Sequence, residues 1–168
     1  IDVRKICFEG PEEELNKTEN TQIAILTTSL AILEVLKSQN INAEIATGLS
    51  LGEYGALIYS KIISFEDGIK LIKQRGYYMG NLQPKEEYSM AAVIGLDSSK
   101  IERVCEEFRE NGKFIVPANY NCSVQTVISG ESSAIDEAVG KLGEIGAKRV
   151  VKLKTSGPFH TIKLEKAK

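Results

Sequence analysis

Apolar side chains at Ile23, Leu26, Leu30, Leu33 and Leu36 recur at steps of three and four along the chain. That spacing collects them on one face of a helix, so Thr21 to Ser38 reads as an amphipathic helix burying a single stripe. The acidic Pro11 to Asn20 stretch before it reads as a surface loop or short helix. After it, Ala43 to Thr47 is a short β-favouring run that enters Gly48-Leu49-Ser50-Leu51-Gly52 and then a helix-compatible stretch, Glu53 to Tyr59. The order is strand, tight turn, helix. Ser64 followed by Asp67 has the form of a capping box, and Ile69, Leu71, Ile72 and Met79 give an apolar face to a helix reaching about Asn81. A charged loop containing Pro84 follows.

Beyond that loop the period changes. Met90 to Leu96 is strand-like, Asp97 can cap a helix from Ser98, and Gly112 closes it. Phe114 to Asn119 and Gln125 to Ser129 read as two strands, Glu131 to Ile145 as a second helix ending at Gly146, and Arg149 to Leu153 as a fourth strand. The resulting β-α-β-β-α-β order makes residues 88–154 a ferredoxin-like unit.

Composition narrows the functions open to the chain. With 168 residues and an apolar fraction of 42%, it can build a real core. Lys and Arg total 21 against 23 Asp and Glu, so no surface is built to neutralise nucleic-acid phosphates. No uninterrupted apolar run of membrane-spanning length is visible, nor is a secretory leader, so the expectation is a soluble chain without a membrane partner. Cys7, Cys105 and Cys122 are odd in number and widely spaced, which argues against a disulfide framework or a thiolate zinc site and for a reducing cytoplasm. His160 is the one histidine, so chemistry that needs two imidazoles within this chain is excluded and any histidine base is His160.

Gly48-Leu49-Ser50-Leu51-Gly52 is a GxSxG segment between predicted strand and helix, the setting of a nucleophile elbow. Glycines let the backbone turn tightly, so that the Ser50 hydroxyl projects and the Leu51 amide can face a developing oxyanion beside a helix N-terminus. The alternative is a Gly-rich turn that only packs. A serine nucleophile needs a base, and Ser156-Gly157-Pro158-Phe159-His160 presents the histidine in a loop after the last predicted strand. An isolated histidine can equally be a surface or core residue; its pairing with Ser50 favours the catalytic reading. Arg75, in Gln74-Arg75-Gly76, is either a solvated helix-face cation or a guanidinium fork for a substrate carboxylate.

Taken together these segments resemble the malonyl-CoA:acyl carrier protein transacylases and the related acyltransferase domains of polyketide and fatty acid synthases. The resemblance runs from about Glu9 to Thr161. It rests on Gly48-Leu49-Ser50-Leu51-Gly52-Glu53-Tyr54 (GHSLGEY in the family), Gln74-Arg75-Gly76 with Met79, Met90-Ala91-Ala92-Val93-Ile94-Gly95-Leu96, Asn119-Tyr120-Asn121 with Val127-Ile128-Ser129-Gly130, and Ser156-Gly157-Pro158-Phe159-His160. It implies an α/β fold. Residues 1–87 would form part of an α/β-hydrolase-like core with the nucleophile elbow, 88–154 an inserted ferredoxin-like subdomain, and 155–168 the return to the core with the histidine loop. The implied activity is transfer of a malonyl group from malonyl-CoA to the phosphopantetheine thiol of acyl carrier protein in fatty acid biosynthesis, without metal or cofactor. Ser50 is then the nucleophile, His160 the base and Arg75 the clamp on the malonyl carboxylate. Leu51 gives an oxyanion amide, and Met79 and Asn119 lie near the pocket.

The chain departs from the family at Leu49, where the family has histidine, and it lacks counterparts of the family's N-terminal GQGxQ loop and of the segments after the histidine loop. It is therefore expected to be an internal portion of such an enzyme. Two rivals stay open: a serine hydrolase or thioesterase, which shares Ser50 and His160 but has no need of Arg75, and a non-catalytic fragment that binds the carrier protein. The enzyme reading requires Ser50, Arg75 and His160 to share one crevice.

Overall fold

The structure, a computed structural model, describes residues 1–82, 87–154 and 157–167. Pro84 and Ser156 lie outside the described residues. The chain is an α/β protein that divides into two compact units, Ile1–Tyr78 and Met79–Lys168.

The first unit is helical. It contains α1 (Val3–Glu9), α2 (Glu12–Leu15), α3 (Thr18–Ser38), α4 (Gly52–Tyr59) and most of α5 (Phe65–Asn81). The stripe expected on α3 forms its core: Ile23, Leu26 and Leu30 are buried with Ile72 of α5, and Val3, Leu33, Leu51, Tyr54, Ile58 and Ile69 pack around them. Each such side chain removed from water contributes about 1.5–3 kcal/mol. Leu36 and Leu71, expected on the buried faces, are exposed. Leu71 is two positions from Ile69, which turns it to the other side of the helix.

By length and composition α3 could also cross a membrane, contrary to the expectation that no such run exists. It carries Glu19, Glu34 and Lys37, and its buried face holds the polar Gln22 within the helical core. The start of α5 follows the capping box: the Ser64 hydroxyl accepts from the Asp67 N–H at 3.0 Å and donates to its carboxylate at 2.9 Å. Those contacts, with Lys70 behind them, hold the Asp67 carboxyl below its ordinary pKa.

The strand expected at Ala43–Thr47 does not form. A strand is completed by a ladder, and no described strand lies alongside this segment. Its backbone is met instead by one phenol, since the Tyr59 hydroxyl accepts from Ala43 N–H at 2.6 Å and donates to Ala43 C=O at 2.8 Å.

The second unit is a four-stranded antiparallel sheet of order β2-β3-β1-β4, with two helices. Its strands are β1 (Tyr88–Ile94), β2 (Ile115–Cys122), β3 (Gln125–Glu131) and β4 (Arg149–Lys152), and its helices α6 (Ser98–Glu110) and α7 (Ser132–Glu144). β1 is central, pairing Met90 with Ser129 on one side and Ala91 with Lys152 on the other. One face of the sheet, with Ala91, Val93, Ile115 and Ile128, packs on Ile101, Val104 and Cys105 of α6 and on Ala134, Ile135, Ala138 and Leu142 of α7. The opposite face, with Met90, Ala92 and Val127, is met by Leu153 and Phe159. Asp97 caps α6 as expected, its carboxylate accepting from Ser99 N–H at 2.9 Å. The edge strand β2 runs longer than expected and shifts register between Pro117 and Asn119, where an edge tolerates both proline and a bulge.

Candidate active site

Gly48 to Gly52 forms a sharp turn into α4, and two features of the turn fix Ser50. Its φ is +56°, a left-handed conformation that serine adopts only under constraint. The constraint is close approach: a Cβ on Gly48 would stand 2.0 Å from the Gly52 carbonyl carbon. The chain passes so near itself that only glycine fits at position 48. Leu51 caps α4, and its N–H makes no hydrogen bond with another described residue. Its side chain packs into the helical core, anchoring the turn. Leu49 is exposed.

Arg75 reaches this turn from α5. One guanidinium nitrogen donates to Ser50 Oγ at 2.8 Å and the other to Gln22 Oε1 on α3 at 2.6 Å, while Tyr54 presents its ring 5.8 Å away. The approach of the helices is set at Gly76, where a Cβ would come within 2.7 Å of Glu19 Cα. Half-burial pulls the Arg75 pKa below its ordinary value, Tyr54 and Glu53 acting the other way. An arginine remains a cation through such a shift. Among the described residues no carboxylate forms an ion pair with it.

This geometry has three chemical consequences. A positive charge 2.8 Å from Oγ stabilises negative charge that grows on that oxygen. The hydroxyl oxygen accepts from Arg75, so that contact does not engage the O–H proton, which attack on a carbonyl must pass to a base. An acyl group esterified to Ser50 and ending in a carboxylate three bonds further on would put that carboxylate roughly 4 Å from Oγ, within reach of the same guanidinium. The structure thus brings together two of the residues singled out in the sequence, Ser50 and Arg75. It adds Gln22, which the sequence reading missed. The signal was available, since position 22 is four before Leu26 and eight before Leu30, so a polar side chain sits on an otherwise apolar stripe.

The remaining candidates belong to the second unit. His160 is exposed, with φ +58°. Its loop is held from both sides: Pro158 is fully buried, Phe159 docks on the sheet against Met90, Ala92 and Val127, and Thr161 Oγ1 donates to the Pro158 carbonyl at 2.8 Å. The 3₁₀ helix Ile162–Ala167 follows, its Lys163 ammonium 4.9 Å from the Phe114 ring centre. Met79 is buried near the end of α5, and Asn119 is half-buried on β2 at the register shift. Among the described residues, Ser50 and His160 are two of four non-glycine positions at positive φ. Strain of about 1–3 kcal/mol at such positions persists where the surroundings over-determine it, and functional sites collect it. No group of three metal-ligating side chains occurs among the described residues.

A serine at positive φ in the turn before α4 thus meets an arginine that has no ion-pair partner among the described residues. The chain belongs to the acyl transferase domain family, which it matches over residues 1–166. It is 45% identical over 161 residues to the malonyl CoA-acyl carrier protein transacylase of Staphylococcus aureus (strain MRSA252), an alignment covering 96% of this chain and 52% of that protein. The crystal structure of the malonyl CoA-acyl carrier protein transacylase from Clostridium perfringens superposes with a TM-score of 0.88 at 42% identity, over 99% of this chain and 52% of the other. A malonyl-transacylase solved in complex with its type II PKS acyl-carrier protein superposes with a TM-score of 0.91 at 38% identity, over 99% of this chain and 54% of the other. The chain therefore spans about half the length of the relatives it matches.

Proposed function

We propose that this chain carries the nucleophile and the acyl-selecting residues of an S-malonyltransferase that moves a malonyl group from malonyl-CoA to the phosphopantetheine thiol of acyl carrier protein, in cytoplasmic fatty acid biosynthesis. The observation that carries the proposal is the Arg75 guanidinium on Ser50 Oγ, a carboxylate receptor placed where an ester of that serine would form. A thioesterase needs no such receptor. The names of the relatives supply the substrate and the carrier.

The mechanism is ping-pong. Ser50 Oγ attacks the thioester carbonyl and gives its proton to His160; the tetrahedral oxyanion is met by the Leu51 N–H. Collapse expels the CoA sulfur, which takes the proton back from His160 and leaves malonyl-Ser50. The carrier thiol then gives its proton to His160, attacks the ester, and Ser50 recovers a proton as the malonyl thioester departs. Arg75 holds the carboxylate in both halves; the family resemblance assigns Met79 and Asn119 to substrate binding as well. No metal or cofactor enters the scheme.

The fold reading that accompanies this proposal assigns 1–87 to part of an α/β-hydrolase-like core, 88–154 to a ferredoxin-like subdomain and 155–168 to the return carrying His160. The strand order β2-β3-β1-β4 with both helices on one face supports the second of these. The test uses the full-length protein containing this chain. Incubation with malonyl-CoA should add one malonyl group to the peptide bearing Ser50, and Arg75→Ala should cut malonyl loading at least tenfold more than acetyl loading, on the order of one charge-assisted hydrogen-bonded pair. Equal loss for both acyl groups, or no adduct at Ser50, would refute the reading.

A further inference from the structure

We propose that Gln22 determines acyl-group selectivity by holding Arg75 with an uncharged acceptor; the proposal rests on the assignment of Arg75 as the carboxylate receptor. Gln22 is 6% exposed, on the buried face of α3, and its Oε1 takes one arm of the guanidinium at 2.6 Å. The other arm lies on Ser50 Oγ. A flexible cation is thereby fixed at both ends, which aims its plane at the position an acyl group on Ser50 would occupy.

The identity of the anchor matters as much as its position. A buried or half-buried arginine is ordinarily matched by a carboxylate, because a desolvated charge without a counter-charge is unfavourable. Here the anchor is an amide. It accepts a charge-assisted hydrogen bond and removes none of the positive charge. The electrostatic deficit stays open on the Ser50 side, where an anionic acyl group closes it and an uncharged one does not. Glutamate has the same size and shape as glutamine. At position 22 it would place a carboxylate on the guanidinium, close the pair internally and repel an arriving carboxylate. Gln22 is thus a positioning residue whose neutrality is the functional property.

A purely structural glutamine, there to satisfy a contact between α3 and α5, makes a different prediction: substitution would lower handling of all acyl groups together. The experiment compares wild type, Gln22→Glu, Gln22→Leu and Arg75→Ala in the full-length protein, reading kcat/KM for malonyl-CoA and for acetyl-CoA. The quantity compared is the ratio of the two, which is insensitive to the fraction of each variant that is folded. The expected order of malonyl-to-acetyl selectivity is wild type, then Gln22→Leu, then Gln22→Glu, the last lower than wild type by roughly 10- to 100-fold, the range of a hydrogen bond to a charged group. The loss in Gln22→Glu should fall mainly on KM for malonyl-CoA. If Arg75→Ala collapses the ratio while Gln22→Glu leaves it unchanged, or if Gln22→Leu falls as far as Gln22→Glu, the role of Gln22 is overturned with Arg75 still in place. If Arg75→Ala leaves the ratio intact, the assignment of Arg75 falls and takes the proposal with it.

Discussion

The two glycines that flank Ser50 look equivalent in sequence and are not equivalent in structure. A Cβ added at Gly48 meets the Gly52 carbonyl carbon at 2.0 Å, its oxygen at 2.1 Å and the Glu53 nitrogen at 2.4 Å. Non-bonded carbons settle at about 3.5–4.0 Å, so the turn would have to open by on the order of 1.5 Å. All three atoms are backbone in the first turn of α4, and no rotamer change relieves them. Overpacking that side chains can absorb costs about 1–3 kcal/mol; here the strain falls on the turn itself, so Gly48→Ala should cost about 3 kcal/mol or more. The same opening lifts Ser50 Oγ from its 2.8 Å contact with Arg75. A displacement of about 1 Å at a reacting group can lower a rate by about 10²-fold. At Gly52 an added Cβ meets nothing within 4 Å, and the residue begins α4, so Gly52→Ala should be neutral or stabilising by about 0.5–1 kcal/mol. Urea unfolding of the two variants in the full-length protein, with the rate of malonyl loading on Ser50, checks both halves. Wild-type stability in Gly48→Ala, or an equal penalty in Gly52→Ala, would refute the steric argument.

Two other outcomes follow from packing. Gly76→Ala forces its Cβ against Glu19 Cα at 2.7 Å and the Thr18 carbonyl at 3.2 Å, and should cost about 1–3 kcal/mol in a denaturation experiment by separating α5 from α3. Burial raises the Cys105 thiol from 9.0 to about 12, so at pH 8 its thiolate population, and its rate of alkylation in the native state, should be about 10³-fold below that of a free thiol, as read by mass spectrometry against the exposed Cys122. Because the folded pKa is the higher one, the stability contributed by the neutral thiol is complete below about 9 and is lost as pH rises towards about 12.

The elements legible in the sequence were those whose pattern is internal to the element. The α3 stripe, the Ser64–Asp67 cap and the Asp97 cap depend on residues a few positions apart, and each formed. So did the β-α-β-β-α-β order, because every strand in it pairs within the second unit. The segment Ala43–Thr47 has the residue types of a strand but no described neighbour to pair with, and Ile45 is 85% exposed. Strand propensity records a fit to a half-buried surface, and none of the described strands supplies one to this segment. At the candidate site, Ser50 and Arg75 could be read from local motifs. Gln22 could not be assigned a role in that way, because its meaning depends on a partner 53 positions away.

That long separation explains how an apolar core positions polar chemistry. Gln22 precedes Ile23, Arg75 follows Ile72 by three positions, and Ser50 precedes Leu51; Ile23, Ile72 and Leu51 all belong to one cluster. Each polar residue is therefore fixed by a core residue next to it or one helical turn away, and the hydrogen bonds from Arg75 to Gln22 and Ser50 close only when α3, α5 and the turn before α4 are packed at their native separation. Interiors are dense and do not deform continuously, so a small change at Ile72 or Gly76 is transmitted to the guanidinium as a shift of comparable size. Under the role proposed for Arg75, selectivity for a charged acyl group depends on the same contacts that hold the helices together, and the orientation of Arg75 is sensitive to losses of packing too small to unfold the chain.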